Sequence, residues 1–227
     1  MNDATVKPES IPYRQQIINE SEALSRRFNT LTESLHNQHK DMSDQRTAAT
    51  SHANSLLSNI AQVNKQITEM QGTGGNPAHL MDARDSLIGE LSQVIEVKTT
   101  NQPDGTIQVT LASGQPLVMG SEAGKIKSTP DPADPYMATL NVEFGKQDFA
   151  VSGAVGGKLG AITDYQNDVL KPNLVALDDM AKSLADEFNT ILATGKDLNG
   201  NAGKPLFSYD PANPCLLYTS DAADDGV

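Results

Sequence analysis

The side chains able to do chemistry in this 227-residue chain fall into a few small groups. His36 and His39 stand three apart on one helical face, with Asp41 and Asp44 close by. Imidazole and carboxylate are zinc ligands, but no cysteine or further oriented partner accompanies them, and two histidines on a solvated face are the plainer reading. Asp82, Arg84 and Asp85 put three charges within four residues. Paired carboxylates are the tools of acid and base catalysis. The same triplet also serves packing, because the planar guanidinium fork suits carboxylates that hold it between helices, and this reading is preferred. Asp197, Asn199 and Asn201 alternate as at the head of an EF-hand loop. The glycine there is out of place and no glutamate closes the loop, so a turn rich in Asn and Gly is expected. Gly145-Lys146 lacks phosphate-loop spacing. No Ser, His and acid converge by motif. The expectation is therefore a chain without catalytic, cofactor-binding or metal-binding residues.

The single cysteine, Cys215, opens the run Cys-Leu-Leu-Tyr-Thr-Ser-Asp-Ala-Ala-Asp-Asp. That run reads as a translated sequencing-library adaptor, so residues 215–227 are set aside from fold reasoning as a tail would be. Without Asp221, Asp224 and Asp225 the net charge of −12 becomes −9, and the remaining chain is free of cysteine. The natural sequence is expected to continue differently after Pro214.

The groups above depend on one long element. From Arg14 to Gln71 the chain runs 58 residues without glycine or proline. Phe28, Leu35, Met42, Ala49, Leu56, Val63 and Met70 recur every seven residues, which is two helical turns and therefore one seam. A companion row lies beside it: Ile17, Leu24 and Leu31, then Ala53, Ile60 and Ile67. The companion follows the seam by three residues early and by four later. Such a helix is a rod of roughly 85 Å, which implies an elongated molecule. Between His36 and Thr50 the pattern becomes polar and packing is expected to thin. Gly72-Thr-Gly-Gly-Asn-Pro77 stops the helix. A second helix is expected from about Ala78 to Gln93, with Leu80, Leu87, Ile88 and Leu91 on one stripe.

From Val94 to Ser152 the period changes to two, with turns at Asp104-Gly105 and Ser113-Gly114, which predicts antiparallel strands. Strands are expected at Lys125–Ser128, Met137–Phe144 and Asp148–Val151, with the proline-rich Thr129–Pro135 as a loop, since proline cannot serve a ladder. A third helix is expected from about Lys158 to Thr194, kinked or broken at Pro172, and long enough to lie back along the rod. The fold class is thus mainly α with a β insertion (α+β): an antiparallel, coiled-coil-like helical bundle carrying an antiparallel β-hairpin subdomain. The expected divisions are a polar lead-in (1–11), the long helix, turn and second helix (12–93), the β insertion (94–155), the returning helix (156–195), the start of a further domain (196–214) and the tail (215–227). The residues singled out are structural: Phe28, Leu35, Met42, Leu56, Ile60, Val63, Ile67 and Met70 for helix packing, and Asp82, Arg84 and Asp85 for holding the second helix.

Composition narrows the function classes. A pI near 4.6 and no basic cluster argue against nucleic acid, which is held by clustered Lys and Arg. No apolar run reaches membrane-spanning length, and no charged-then-apolar signal peptide opens the chain. Tryptophan is absent, aromatics make up 4% and hydrophobic residues 37%, so cores must be thin layers of Leu, Ile, Val and Ala.

Several stretches resemble one family in order and spacing. They are the long helix with its Gly/Asn/Pro stop, Leu80-Met-Asp-Ala-Arg-Asp-Ser-Leu87, the Asp104-Gly-Thr106 hairpin with Gly114-Gln-Pro-Leu-Val118, Gly156-Gly-Lys-Leu-Gly-Ala161, Ala185-Asp-Glu-Phe-Asn189, and Asp197-Leu-Asn-Gly-Asn201 before Leu206-Phe207. Over about residues 12–210 the chain resembles the flagellar hook-associated protein 1 (FlgK) family. It departs in lacking the family's heptad-patterned ends, so that the resemblance implies an internal fragment, and in carrying Gln166 where the family commonly has arginine. The resemblance implies a non-enzymatic subunit exported through the flagellar type III channel without a cleaved signal, located at the hook-filament junction outside the cell. The implied partners are further copies of itself in a ring, the hook protein, the second junction protein and an export chaperone. Flagellin or the other junction protein of the same axial family is one alternative. The coiled-coil stalk of a secreted enzyme, with its catalytic domain outside this fragment, is another.

Overall fold

The computed structural model describes residues 10–132, 134–196, 200–210 and 213–219. Helix α1, Ile11–Gly72, accommodates Pro12 in its first turn, where a missing N–H costs nothing. At its other end the N–H groups of Gly74 and Gly75 bond the carbonyls of Gln71 and Met70, with Gly74 at φ 76°. Helix α2, Ala78–Val94, follows Pro77, and the Asn76 side chain accepts from the Ala78 N–H at 3.0 Å.

Seven strands come next: β1 Val97–Asn101, β2 Ile107–Leu111, β3 Pro116–Met119, β4 Glu122–Ala123, β5 Lys125–Asp131, β6 Asp134–Phe144 and β7 Gln147–Ala150. They form two antiparallel meanders, β1-β2-β3-β4 and β5-β6-β7. The expected Thr129–Pro135 loop is instead largely strand. Pro130 lies on β5, an edge strand, opposite Ala138, and β6 gains its second neighbour β7 only from Asn141 onward. Pro130 therefore sits where one side of the ladder needs no donor. A register shift at Pro130/Asp131 absorbs the misfit.

Helix α3, Gly157–Tyr165, passes through a π-helical turn, Gln166–Leu170, into α4, Lys171–Thr194, and the hairpin β8 Phe207–Asp210 with β9 Asn213–Thr219 follows. The break expected at Pro172 is this π turn. Proline clashes with the carbonyl four residues back, and widening the preceding turn gives that carbonyl room. Gly157 opens α3 at φ 59°, and a β-carbon there would lie 2.7 Å from the carbonyl carbon of Val94. Only glycine fits that close crossing.

The chain divides into two compact units. In the unit spanning His39–Val169, the buried residues of α1, from Ala49 to Ala61, pack against Leu91, Val94 and Ile95 at the end of α2, Leu159 of α3 and both meanders. The β insertion is thus a wall of the core. Its strand β2 alternates buried and half-buried residues, as one-sided burial requires. In the other unit, which takes residues up to Gln38 and from Leu170 onward, Phe28 packs with Leu177, Ala181 and Ala185 of α4 and with Leu206, Phe207 and Leu217. The returning helix therefore covers α1 in this unit, whereas the strands cover it in the other.

The buried stripe of α1 is not centred on the apolar seam. Ala53, Leu57, Ile60, Asn64 and Ile67 are all 0% exposed. Continued toward the N-terminus by Thr50 and Arg46, also buried, they recur at three and four residues. Val63 and Met70, expected at its centre, are half-buried flanks.

Candidate functional site

Polar side chains gather inside these cores in a form that the apolar pattern does not announce. The densest cluster is built on Asn64, in the fully buried stripe of α1. Its Oδ1 accepts from the backbone N–H of Ile107 at 3.1 Å and from Nη1 of Arg84 at 3.0 Å. Its Nδ2 donates to the carbonyls of Ile107 and Gly120, each at 2.8 Å. Arg84 also donates to the Gly105 carbonyl at 2.8 Å. Two side chains thus join α1, α2, the first hairpin turn and the turn after β3. Burial pushes the Arg84 guanidinium down from its ordinary value, and the charge of Asp85 opposes that. Asp82 and Asp85 are exposed, and Arg84 donates to an amide oxygen and a backbone carbonyl. A single guanidinium nitrogen, Nη1, makes both of these bonds, and neutral oxygens receive it in place of the expected carboxylates.

The Asn64 arrangement recurs. Asn54 of α1 donates to the Ile126 carbonyl at 2.9 Å and accepts from the Ile126 N–H at 2.7 Å. In the other unit Asn29 of α1 does the same to Leu217, at 3.2 and 3.0 Å. Asn189 of α4 donates to the Phe207 carbonyl at 2.7 Å and accepts from the N–H groups of Leu206 and Phe207 at 2.8 and 3.1 Å. A carboxamide carries one carbonyl and one amino group, so it copies a peptide and satisfies strand backbone that would otherwise face a helix unpaired. Each strand is fastened to a helix at one residue. Sequence reasoning missed these asparagines. Their signal is a poor helix former inside a helix, but exposed Asn37 and Asn59 carry the same signal.

A second buried cationic group lies at Arg46, which donates to Oε1 of Gln166 on the π turn. Arg46 is 4% and Gln166 2% exposed, and burial lowers the Arg46 pKa. The Gln166 amino group and the Thr50 hydroxyl, both buried, make no hydrogen bond. Gln166, singled out as a departure from the family pattern, is therefore the acceptor of a buried interhelical contact.

The remaining sequence candidates disperse. His39 bonds the Tyr136 carbonyl at 3.2 Å through Nε2, with the two rings edge to face, while Lys40 pairs with Asp44 at 2.9 Å. Among the described residues no three His, Cys, Asp or Glu side chains converge as metal ligands. Asp197 and Asn199 of the calcium-like loop lie outside the described residues. Gly145-Lys146 is the tight turn between β6 and β7. Of the packing residues, Phe28, Leu56, Ile60 and Ile67 are buried, whereas Leu35, Met42, Val63 and Met70 are half-buried. A cavity of about 320 Å³ lies in the unit containing Phe28 and is lined by Ile17, Leu24, Phe188 and Phe207 together with Tyr13, Glu20 and Arg27. Its walls are mostly apolar and it holds no histidine. No described helix is long and apolar enough to cross a membrane.

Residues 1–207 match the family model of the flagellar hook-associated protein FlgK helical domain. The chain is similar to flagellar hook-associated protein 1 of Escherichia coli (strain K12), at 32% identity over 222 residues, covering 93% of this chain and 39% of that protein. It is also similar to the protein of that name from Salmonella typhimurium, at 31% identity with 94% and 39% covered, and from Bacillus subtilis (strain 168), at 24% with 86% and 43% covered. Among solved structures, the flagellar hook junction protein FlgK from Burkholderia pseudomallei superimposes with a TM-score of 0.85 at 25% identity, over 92% of this chain and 38% of that one. The chain thus spans about 39% of the length of the first two relatives.

Proposed function

Because the chain belongs to the FlgK helical-domain family of flagellar hook-associated proteins, we propose that it is part of the structural subunit joining hook to filament. The carrying observation is the family match over residues 1–207, and the TM-score of 0.85 to a flagellar hook junction protein accords with it. The relatives are named for a place in the flagellum, not for a reaction. In this reading the subunit leaves the cell through the flagellar export channel without a cleaved signal, aided by a chaperone. It assembles as a ring of copies between the hook protein and the second junction protein.

The chemistry of the chain supports that role. Four of its asparagines, with Arg84 beside Asn64, are spent on fastening strands and turns to helices. Residues 1–214 contain no cysteine, so a chain that must be threaded unfolded carries no disulfide to break. A strain lacking the gene is expected to shed filament monomers into the medium and to swim poorly, with recovery on complementation by the intact gene. Normal motility with filaments attached would overturn the proposal.

A further inference from the structure

The hairpin β8–β9 has an uneven construction. Every residue that receives β9 lies within the stretch that matches the family, residues 1–207, or on the adjoining β8: Phe28 and Asn29 of α1, Leu177, Ala181 and Ala185 of α4, and Phe207. Strand β9 lies beyond that stretch, and from Cys215 onward it has the sequence read above as adaptor-derived. The contacts that hold it are nearly blind to side chains. Asn29 takes both backbone groups of Leu217, and β8 pairs with it through the main chain, Tyr209 opposite Leu217 and Phe207 opposite Thr219. Leu217, at 0% exposure, enters the core, while its neighbour Tyr218 is 51% exposed. The acceptor side is itself fixed independently, because Asn189 ties Leu206 and Phe207 to α4.

We propose that Asn29 and β8 form a strand-accepting slot that reads the main chain of an extended segment plus one apolar side chain, and that in the whole protein the natural residues following Pro214 occupy it. The slot requires a residue with an N–H and an aliphatic side chain at the position of Leu217, since proline would leave Oδ1 of Asn29 without its donor. It makes no such demand of the flanking side chains, which is why an unrelated sequence can fill it. The second half of the proposal rests on the adaptor reading of residues 215–227, and the first half does not.

The test uses the whole protein with its natural continuation, alongside the present chain. Hydrogen exchange read by mass spectrometry should find the segment after Pro214 protected in both. Asn29→Ala should speed exchange at the residue paired with Asn29 by about tenfold or more, the loss expected for a hydrogen-bonded strand position, while amides of His39–Val169 keep their rates. Asn29→Asp, which retains the acceptor and loses the donor, should fall between. If both variants exchange like the parent at that residue, the slot is overturned. If in the whole protein the natural segment after Pro214 exchanges like an unstructured chain, the assignment of the occupant is overturned, and the two variants still decide the slot on the present chain's own segment.

Discussion

At the scale of single residues, carboxamides carry the arrangement, and Asn64 carries most of it. Removing it in Asn64→Ala strands the Ile107 N–H, two carbonyls and one Arg84 bond in a fully buried place. A loss of about 3 kcal/mol is expected from urea denaturation, the upper end for orphaned buried polar groups. Asn64→Asp keeps the acceptor for Arg84 and Ile107 and should lose less, whereas equal losses would mean that the two carbonyls matter more than the acceptor. Two surface carboxylates predict the acid limb of stability. The Thr106 hydroxyl and N–H hold Asp104 below its ordinary 3.8, and Lys127, 2.6 Å away, holds Glu143 below its ordinary 4.5. A carboxylate depressed on folding stabilises above its unfolded pKa, and that contribution is lost as pH falls through the folded value. The melting temperature should therefore drop as pH falls from about 4.5, and Glu143→Gln and Thr106→Val should each flatten that drop. Identical slopes in parent and variants would refute the assignment. Arg84 was legible as a packing residue from its place between Asp82 and Asp85, but its partners were not. Those acids are exposed, and the oxygens it bonds, on Asn64 and Gly105, come from distant parts of the chain.

Among the elements, α1 shows how far an apolar beat can be trusted. The seven-residue recurrence from Phe28 to Met70 correctly marks one long helix and one buried side, since both follow from local periodicity. It misplaces the centre of that side because the deepest stripe includes Arg46, Thr50 and Asn64, which a count of apolar residues skips. The companion row that shifts from three to four residues after the seam was the visible trace of this. Along the stripe, 42, 46 and 50 are spaced four and four, where the surrounding spacing alternates three and four. That additional step of four is a stutter, a local departure from heptad spacing. There Arg46, on regular α-helix, meets Gln166 of the π turn at one polar contact. Buried polar contacts cost desolvation, and apolar replacement of both partners is often neutral or stabilising, whereas loss of one is not. Arg46→Ala alone should destabilise by about 2–3 kcal/mol, as for other lost hydrogen bonds to charge. Arg46→Met with Gln166→Leu should recover most of that loss, as a double-mutant cycle in guanidinium chloride would measure. A double variant no more stable than the single one would show that the contact is more than a polar layer. The strand at Pro130 was illegible for a different reason. Whether proline is tolerated depends on which edge of a sheet it occupies, and strand order is a property of the tertiary fold.

For the whole molecule, the thin composition has to be divided between two cores. With 4% aromatic residues and no tryptophan, neither core has a large anchor outside Phe28 and Phe207. Among the described residues, 21 buried apolar side chains lie in the His39–Val169 unit and nine in the other. Hydrophobic stabilisation scales with apolar area buried, so the smaller core is the weaker. It is further weakened by Ser21, Ser25 and Thr32, buried in the stretch of α1 that belongs to it. The Ser21 hydroxyl bonds a carbonyl of its own helix, and the buried Ser25 hydroxyl has no hydrogen-bond partner among the described residues. Stability should therefore be uneven, in two cooperative steps. Denaturant titration followed by hydrogen exchange is expected to release amides of α4 and β8 first. Those of α1 from Ala53 to Ile67 and of β2 should be held until the second step. Under the export route proposed above, such a graded loss of structure would be an advantage, because the weaker core opens without waiting for the stronger. One transition, coincident at every amide, would show that the two cores stand or fall together and would remove that advantage.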